Sequence, residues 1–213
     1  MTVPAGCACI IDDDAEVRGS IGSLLRSSGF DVALYESTQA FLAAGVPPVA
    51  ACLVLDVRLP GENGLDFQES LAARGIALPV ILITGHGDIP MSVRAMKAGA
   101  IDFLPKPFSD EQMLAAVETA ISADRARRDA AAGDATLRDA YARLTPRERE
   151  VMGLVVTGLM NKQVAARLEL SEITVKIHRG NVMRKMAAQS LADLVRMAEV
   201  LGVRDDTIHR FSV

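Results

Sequence analysis

Four short apolar runs, each followed at its C-terminal end by polar residues, restrict this chain more than any other feature. Asp12 and Asp13 follow Cys9-Ile10-Ile11, Asp56 follows Cys52-Leu53-Val54-Leu55, Thr84 follows Val80-Ile81-Leu82-Ile83, and Lys106 follows Phe103-Leu104-Pro105. Runs of this length, bounded by turn signals and alternating with helix-period stretches, are the pattern of strands buried in a parallel βαβ sheet. Ligands of such sheets bind outside the carboxyl ends of the strands. The pattern therefore predicts that three carboxylates, a hydroxyl and an ammonium from distant parts of the sequence share one pocket.

The chemistry of that set is mutually consistent. Clustered carboxylates repel one another, and a hard divalent cation with oxygen ligands, Mg²⁺ above all, would offset the repulsion. Asp56 can act as a nucleophile toward phosphorus, since a carboxylate can form an aspartyl phosphate. The metal, Lys106 and Thr84 would then stabilise charge on the transferring phosphoryl oxygens.

Around these residues the chain resembles the receiver domain of bacterial two-component response regulators. The likeness rests on Ile10-Ile11-Asp12-Asp13-Asp14, Leu55-Asp56-Val57-Arg58-Leu59-Pro60-Gly61, Ile83-Thr84-Gly85-His86-Gly87-Asp88 and Phe103-Leu104-Pro105-Lys106-Pro107-Phe108. It implies a doubly wound, five-stranded parallel sheet of the flavodoxin-like kind over residues 1–121. It also implies that Asp56 is the phospho-acceptor, and that Asp13, Asp56 and the Arg58 backbone carbonyl bind Mg²⁺ directly while Asp12 assists, often through water. Thr84 would contact the phosphoryl group, Lys106 would pair with it, and the peptide before Pro107 would be cis.

At 213 residues with 50% hydrophobic content the chain can hold two cored domains. It has no apolar stretch long enough to cross a bilayer, and Met1-Thr2-Val3-Pro4-Ala5-Gly6 lacks the regions of a signal peptide, so a cytoplasmic protein without a membrane partner is expected. Cys7, Cys9 and Cys52 are an odd set without metal-type spacing and read as small buried hydrophobes, with a redox or metal role for Cys7 and Cys9 as the alternative. The net charge of -4 hides an asymmetry: residues 1–124 carry 7 basic against 16 acidic side chains, and residues 125–213 carry 16 against 11. An acidic first part joined to a basic second part suggests a polyanionic partner, with a solvated charged surface as the alternative.

Residues 122–143, rich in alanine, arginine and aspartate, read as a semi-rigid helical linker interrupted near Gly133. Beyond it, Thr145-Pro146-Arg147-Glu148 has the form of a capping box with proline in the first turn, followed by the apolar stripe Val151, Leu154, Val155 and Leu159. Asn161 is placed to cap a second helix and Ser171 a third. Two short helices in tight succession fit helix-turn-helix geometry, whose second helix enters the DNA major groove. On that third helix Val175, Val182 and Met186 share one side. Lys176, Gly180 and Arg184 lie along the other, with Ile173 and Ile177 beside them. Lys176 and Arg184 would meet phosphates or base edges, Ile177 a thymine methyl, and Gly180 would permit close approach, while Arg179, Asn181 and Lys185 border the face. Cations alone would suit a solvated surface; the exposed aliphatic pair argues for a contact.

The second domain, read as residues 144–213, resembles over roughly residues 141–202 the LuxR/FixJ/NarL-type DNA-binding domain, a small all-α domain of four helices. The likeness rests on Leu144-Thr145-Pro146-Arg147-Glu148-Arg149-Glu150, Gly158-Leu159-Met160-Asn161-Lys162, Thr174-Val175-Lys176-Ile177-His178-Arg179 and Asn181-Val182-Met183-Arg184-Lys185-Met186. Some relatives have a DNA-contacting lysine where Gly180 stands. Both resemblances together are closest to the FixJ branch. They imply that a histidine kinase phosphorylates Asp56, that Thr84 and Phe103 rearrange, and that the surface from about Asp88 to Phe103 becomes a homodimer interface. The dimer would bind promoter DNA and regulate transcription, more often as an activator, with RNA polymerase as a further candidate partner. No turnover enzyme is implied, although a receiver promotes its own phosphorylation. Two alternatives stand beside this reading: a DNA-binding regulator whose receiver is a scaffold, and a phosphatase of the haloacid-dehalogenase type using Asp12-Asp13-Asp14. His86 and His209 read as solvent-facing, His178 as packed inward, and Phe103 could also be simple core.

Overall fold

The first strand, β1 (Cys7–Ile11), is buried at every position and lies between β2 (Asp31–Tyr35) and β3 (Ala50–Asp56). The structure, a computed structural model, describes residues 6–85 and 89–204; His86, Asp88, His209 and most of the N-terminal segment read for a signal peptide lie outside them. Beyond β3 follow β4 (Val80–Thr84) and β5 (Asp102–Pro105), in the spatial order β2-β1-β3-β4-β5 with every pairing parallel. This is the flavodoxin-like order, whose topological switch falls between β1 and β3.

Alternate residues of each strand feed opposite faces. Ile10, Val54, Ile81 and Ile83 pack on one face against Ile21 and Leu25 of α1 (Ala15–Ser27) and Met113 and Val117 of α5 (Asp110–Ala142). Ile11, Leu55 and Leu82 pack on the other with Phe41 of α2 (Thr38–Ala44), Phe67 and Leu71 of α3 (Gly64–Leu71) and Ala95 of α4 (Ile89–Lys97). Strands so covered have no polar face, which is why β1, β3 and β4 read as continuous apolar runs, while β5, at one edge with only Leu104 buried, shows the shorter run Phe103-Leu104-Pro105. β2 is an edge strand, partly exposed along its length, and did not stand out in the same way. Cys7, Cys9 and Cys52 are buried and free, and burial first of all pushes the Cys9 and Cys52 thiols up to about 12.

The chain divides into two units, Met1–Arg128 and Asp129–Val213. The helix break expected near Gly133 is absent: α5 runs without interruption from Asp110 to Ala142. One exposed glycine costs a helix about 1 kcal/mol relative to alanine, and the alanines and arginines around it offset that cost. In the second unit α6 (Pro146–Val155), α7 (Asn161–Leu168), α8 (Glu172–Lys185) and α9 (Leu191–Leu201) enclose a core of Val151, Val155, Val164, Val175, Val182 and Leu194. Thr145 and Glu148 form the expected capping box. Asn161 is the first residue of α7 rather than its cap; Met160 holds that position, and its N–H is answered by Gln163 Oε1 at 2.9 Å. No described helix is long and apolar enough to cross a membrane.

A buried acid anchors α5 where the first unit ends. Asp124, 2% exposed, accepts from Arg127 at 2.6 Å and Arg128 at 2.5 Å, and Arg128 also donates to the backbone carbonyls of Ala50 and Pro48. Removing one partner of a buried pair is costly, though a half-exposed guanidinium softens the loss. Arg128→Ala is therefore expected to destabilise the first unit by about 2 kcal/mol in urea unfolding, with Arg127→Ala costing less because it lacks the carbonyl contacts.

Candidate functional site

The ends of β1 and β3 flank the switch point, and the acidic residues meet there. Carboxylate oxygens of Asp12, Asp13 and Asp56 lie within 4.8 Å of one another. Lys106, just past β5, reaches between them, its Nζ 2.8 Å from Asp12 Oδ2 and 2.8 Å from Asp56 Oδ2. Asp12 is fully buried, Asp56 is 7% exposed, and Asp13 opens to solvent. Burial lifts the Asp12 pKa above the usual carboxylate value despite the Lys106 ammonium beside it. Burial likewise works against the Lys106 charge, but the two carboxylates hold its pKa above the ordinary lysine value.

Each predicted pocket residue is found at this end of the sheet. Thr84 closes β4, fully buried, and its carbonyl accepts from Lys106 N–H at 2.7 Å. The Lys106–Pro107 peptide is cis. The Arg58 N–H donates to Asp56 Oδ1 at 3.1 Å, so the residue expected to lend its carbonyl is tied directly to the aspartate expected to take up phosphate. Phe103 is half-buried against the core on the α3 and α4 face. Asp14, which the phosphatase alternative needs facing the pocket, instead caps α1, accepting from Glu16 N–H at 2.8 Å and Val17 N–H at 3.2 Å.

Sequence reasoning missed the outer supports. Arg18 on α1 donates to the Asp12 carbonyl at 2.5 Å and the Asp13 carbonyl at 3.3 Å, which braces the acidic turn. Thr38 on α2 donates to Glu62 in the hairpin after Asp56. No local spacing announces either contact, because each depends on how a helix is set against a loop.

In the second unit α8 presents the face that its period predicts. Ile173, Lys176, Ile177, Gly180 and Arg184 are all exposed, Ile173 at 73% and Ile177 at 59%, while Val175, Val182 and Met186 are buried. Arg179 donates to Asn161 Oδ1 at 3.2 Å, joining α8 to the start of α7, and Arg184 donates to Asn181 Oδ1 at 3.1 Å along the face. His178 is half-buried, with Nδ1 enclosed and unpartnered among the described residues.

A five-stranded sheet with an acidic pocket at its switch point, followed by a helix-turn-helix unit, defines a phosphorylation-type receiver joined to a DNA-binding domain. Family comparison agrees: residues 8–118 match the response regulator receiver domain and residues 142–198 the bacterial regulatory proteins of the luxR family. The chain belongs to the two-component response regulators that control transcription, in the company of FixJ and nodulation protein W. It is 56% identical to nodulation protein W of Bradyrhizobium diazoefficiens over 91% of this chain and 86% of that one. It is 48% identical to transcriptional regulatory protein FixJ of Azorhizobium caulinodans, over 91% and 92% respectively. Among solved structures, response regulator StyR superimposes with a TM-score of 0.79 at 45% identity, covering 91% of this chain and 98% of its own. A receiver implies a histidine kinase as phosphoryl donor, and a LuxR-type domain implies DNA as a ligand.

Lys185, placed by sequence at the border of the α8 face, is engaged inside its own unit. Its Nζ lies 2.6 Å from Glu148 Oε2 and 3.3 Å from the Arg143 carbonyl, so it joins the end of α8 to the start of α6. Burial acts to raise the Glu148 pKa, but Lys185 and the Thr145 N–H outweigh it and hold the carboxyl below its usual range. A depressed carboxyl pKa contributes stability that is fully present above the unfolded value of 4.5 and is lost as pH falls through the folded value. Glu148→Gln keeps the capping geometry and loses the charge. It is expected to cost about 1–2 kcal/mol at pH 7, a deficit that shrinks below pH 4.5, read as hydrogen exchange of the α6 amides.

Proposed function

We propose that Asp56 accepts a phosphoryl group from a histidine kinase, and that the phosphorylated protein dimerises and binds promoter DNA through α8. Convergence of the Asp12, Asp13 and Asp56 carboxylates, two of them bonded to the Lys106 ammonium, is the observation that carries this reading. The donors are hard oxygens, and three carboxylates against one ammonium leave an excess of negative charge that suits Mg²⁺. Asp13, Asp56 and the Arg58 carbonyl would hold the ion directly, with Asp12 assisting. Bound there, Mg²⁺ supplies positive charge against the phosphoryl oxygens.

Phosphoryl transfer then uses groups already in place. An oxygen of Asp56 attacks phosphorus, the O–P bond forms as the P–N bond to the donor imidazole breaks, and the imidazole nitrogen keeps the electron pair. Lys106 exchanges one carboxylate contact for a phosphoryl oxygen, and the Thr84 hydroxyl turns toward another. Phe103 follows Thr84 into the space that this opens.

The surface between β4 and β5 is suited to a second copy, for Ile89, Val93 and Met96 of α4 are exposed at 79%, 46% and 50%. Residues 1–121 act as the receiver, 122–143 as the helical connector and 144–213 as the DNA-binding domain, in the cytoplasm and as an activator that contacts RNA polymerase. Lys176 and Arg184 meet DNA phosphates or base edges, and Ile177 a thymine methyl across the gap left at Gly180. Arg179 and Asn181 steady that face from its border.

Incubation with Mg²⁺ and a small acyl phosphate is expected to add one phosphate by intact mass, absent in Asp56→Asn, and to convert monomer to dimer by light scattering. Phosphate without tighter DNA binding would favour the scaffold reading instead. In DNA titrations, Lys176→Ala and Arg184→Ala are each expected to lower the slope of log affinity against log salt by about 1. Ile177→Ala is expected to relax sequence preference with that slope unchanged.

A further inference from the structure

The end of β3 and the loop leading from it to α3 supply two of the groups on which the proposed reading depends, the Asp56 carboxylate and the Arg58 carbonyl. Its base is fixed by backbone contacts. Gly64 N–H donates to the Val57 carbonyl at 2.8 Å, and a Cβ on Gly64 would overlap the Asp56 carbonyl, so only glycine permits this closure. Its tip is a minimal antiparallel hairpin, with Arg58 opposite Asn63, Leu59 opposite Glu62, and Gly61 at φ 80° in the turn. A hairpin of that length does not hold itself together in water.

Two side chains fasten the tip. Leu59 is buried in the core beneath it, and the Glu62 carboxylate accepts from the Thr38 hydroxyl and from Gln39 Nε2 at 3.4 Å. Thr38 is 1% exposed, so its hydroxyl has no solvent to replace the lost partner. Glu62 is therefore held to α2 by a donor that is itself immobile. Releasing it frees the strand opposite Arg58.

We infer that Thr38 and Glu62 are positioning residues for the cation site: their hydrogen bond braces the hairpin and so fixes the Arg58 carbonyl relative to Asp56. The inference rests on the proposed assignment of the Arg58 carbonyl and Asp56 as Mg²⁺ ligands. Glu62 could also act through its charge, and the two roles separate by substitution. Thr38→Val removes the buried donor, leaving only the long Gln39 contact, and keeps the charge; Glu62→Gln removes the charge and keeps an acceptor, and Glu62→Ala removes both.

The test is Mg²⁺ affinity of the full, unphosphorylated chain, measured by displacement of Mn²⁺ in electron paramagnetic resonance. Thr38→Val and Glu62→Ala are expected to weaken Mg²⁺ binding about tenfold, as loss of outer-shell support commonly does, with Thr38→Ser close to wild type and Glu62→Gln much less affected. The Mg²⁺ needed for half-maximal phosphorylation of Asp56 should rise in parallel. A purely structural role would lower urea stability in Mg²⁺-free buffer and leave the affinity of the folded protein unchanged. Wild-type affinity in Thr38→Val, or a loss confined to the two Glu62 variants, overturns the inference while Asp56 still takes up phosphate. Absence of divalent binding by the wild type overturns the reading beneath it.

Discussion

The first unit is organised around one ammonium group shared by two carboxylates. Like charges about 4 Å apart repel by about 4 kcal/mol at an effective dielectric of 20, so Asp12, Asp13 and Asp56 cannot share the switch point unaided. Lys106 makes their proximity tolerable, with Nζ at 2.8 Å from each of two oxygens. That contact needs β1, β3 and β5 in parallel and in register, which in turn needs both faces of the sheet covered. Two apolar clusters and five helices therefore serve to hold a small set of charges where bulk water would separate them.

What could be read from sequence follows the same logic. Buried parallel strands are apolar on both sides, so β1, β3 and β4 announce themselves; β5, at the sheet edge, shows only the short run Phe103-Leu104-Pro105, and the polar residue ending or following each run marks the pocket without any knowledge of contacts. β2 alternates partly exposed residues at the sheet edge and ends without a pocket residue, so it is a weak signal. Continuity of α5 through Gly133 was hidden for an energetic reason: a glycine lowers helix stability without forbidding helix, and its neighbours decide the outcome. The reach of Arg128 to the Ala50 and Pro48 carbonyls, the Arg18 brace and the Thr38–Glu62 tie were not legible at all. Each joins elements whose relative rotation arises from packing, and charged residues on helices are too common to single out partners.

The second unit shows how far periodicity reaches. α8 carries apolar residues on both sides, Val175 and Val182 within and Ile173 and Ile177 without. A helix serving one core would place polar residues where Ile173 and Ile177 stand, since exposed aliphatic surface among cations gains nothing from water. Two apolar faces imply two contacts, of which the unit's own core satisfies one. Periodicity assigned Lys185 to the rim of the outer face, but the rim is where small rotations matter: the flexible stem of Lys185 bends to Glu148, a buried carboxylate that would otherwise lack a counter-charge.

Whether so local a change as one phosphoryl group can govern a whole protein is a question of magnitude. Moving a two-state equilibrium from 1:99 to 99:1 takes about 5.5 kcal/mol of differential interaction. A charge-assisted hydrogen bond contributes about 1.5–3 kcal/mol, so two at the top of that range, or three near its middle, that exist in one state alone are sufficient. The pocket has the means within reach: Lys106 can trade a carboxylate for a phosphoryl oxygen, and Thr84 sits fully buried at the end of the neighbouring strand. Because Lys106 already spans Asp12 and Asp56, added negative charge on one of them must change its contact with the other. The ammonium that stabilises the resting pocket is thus the group through which a modification at Asp56 would be felt.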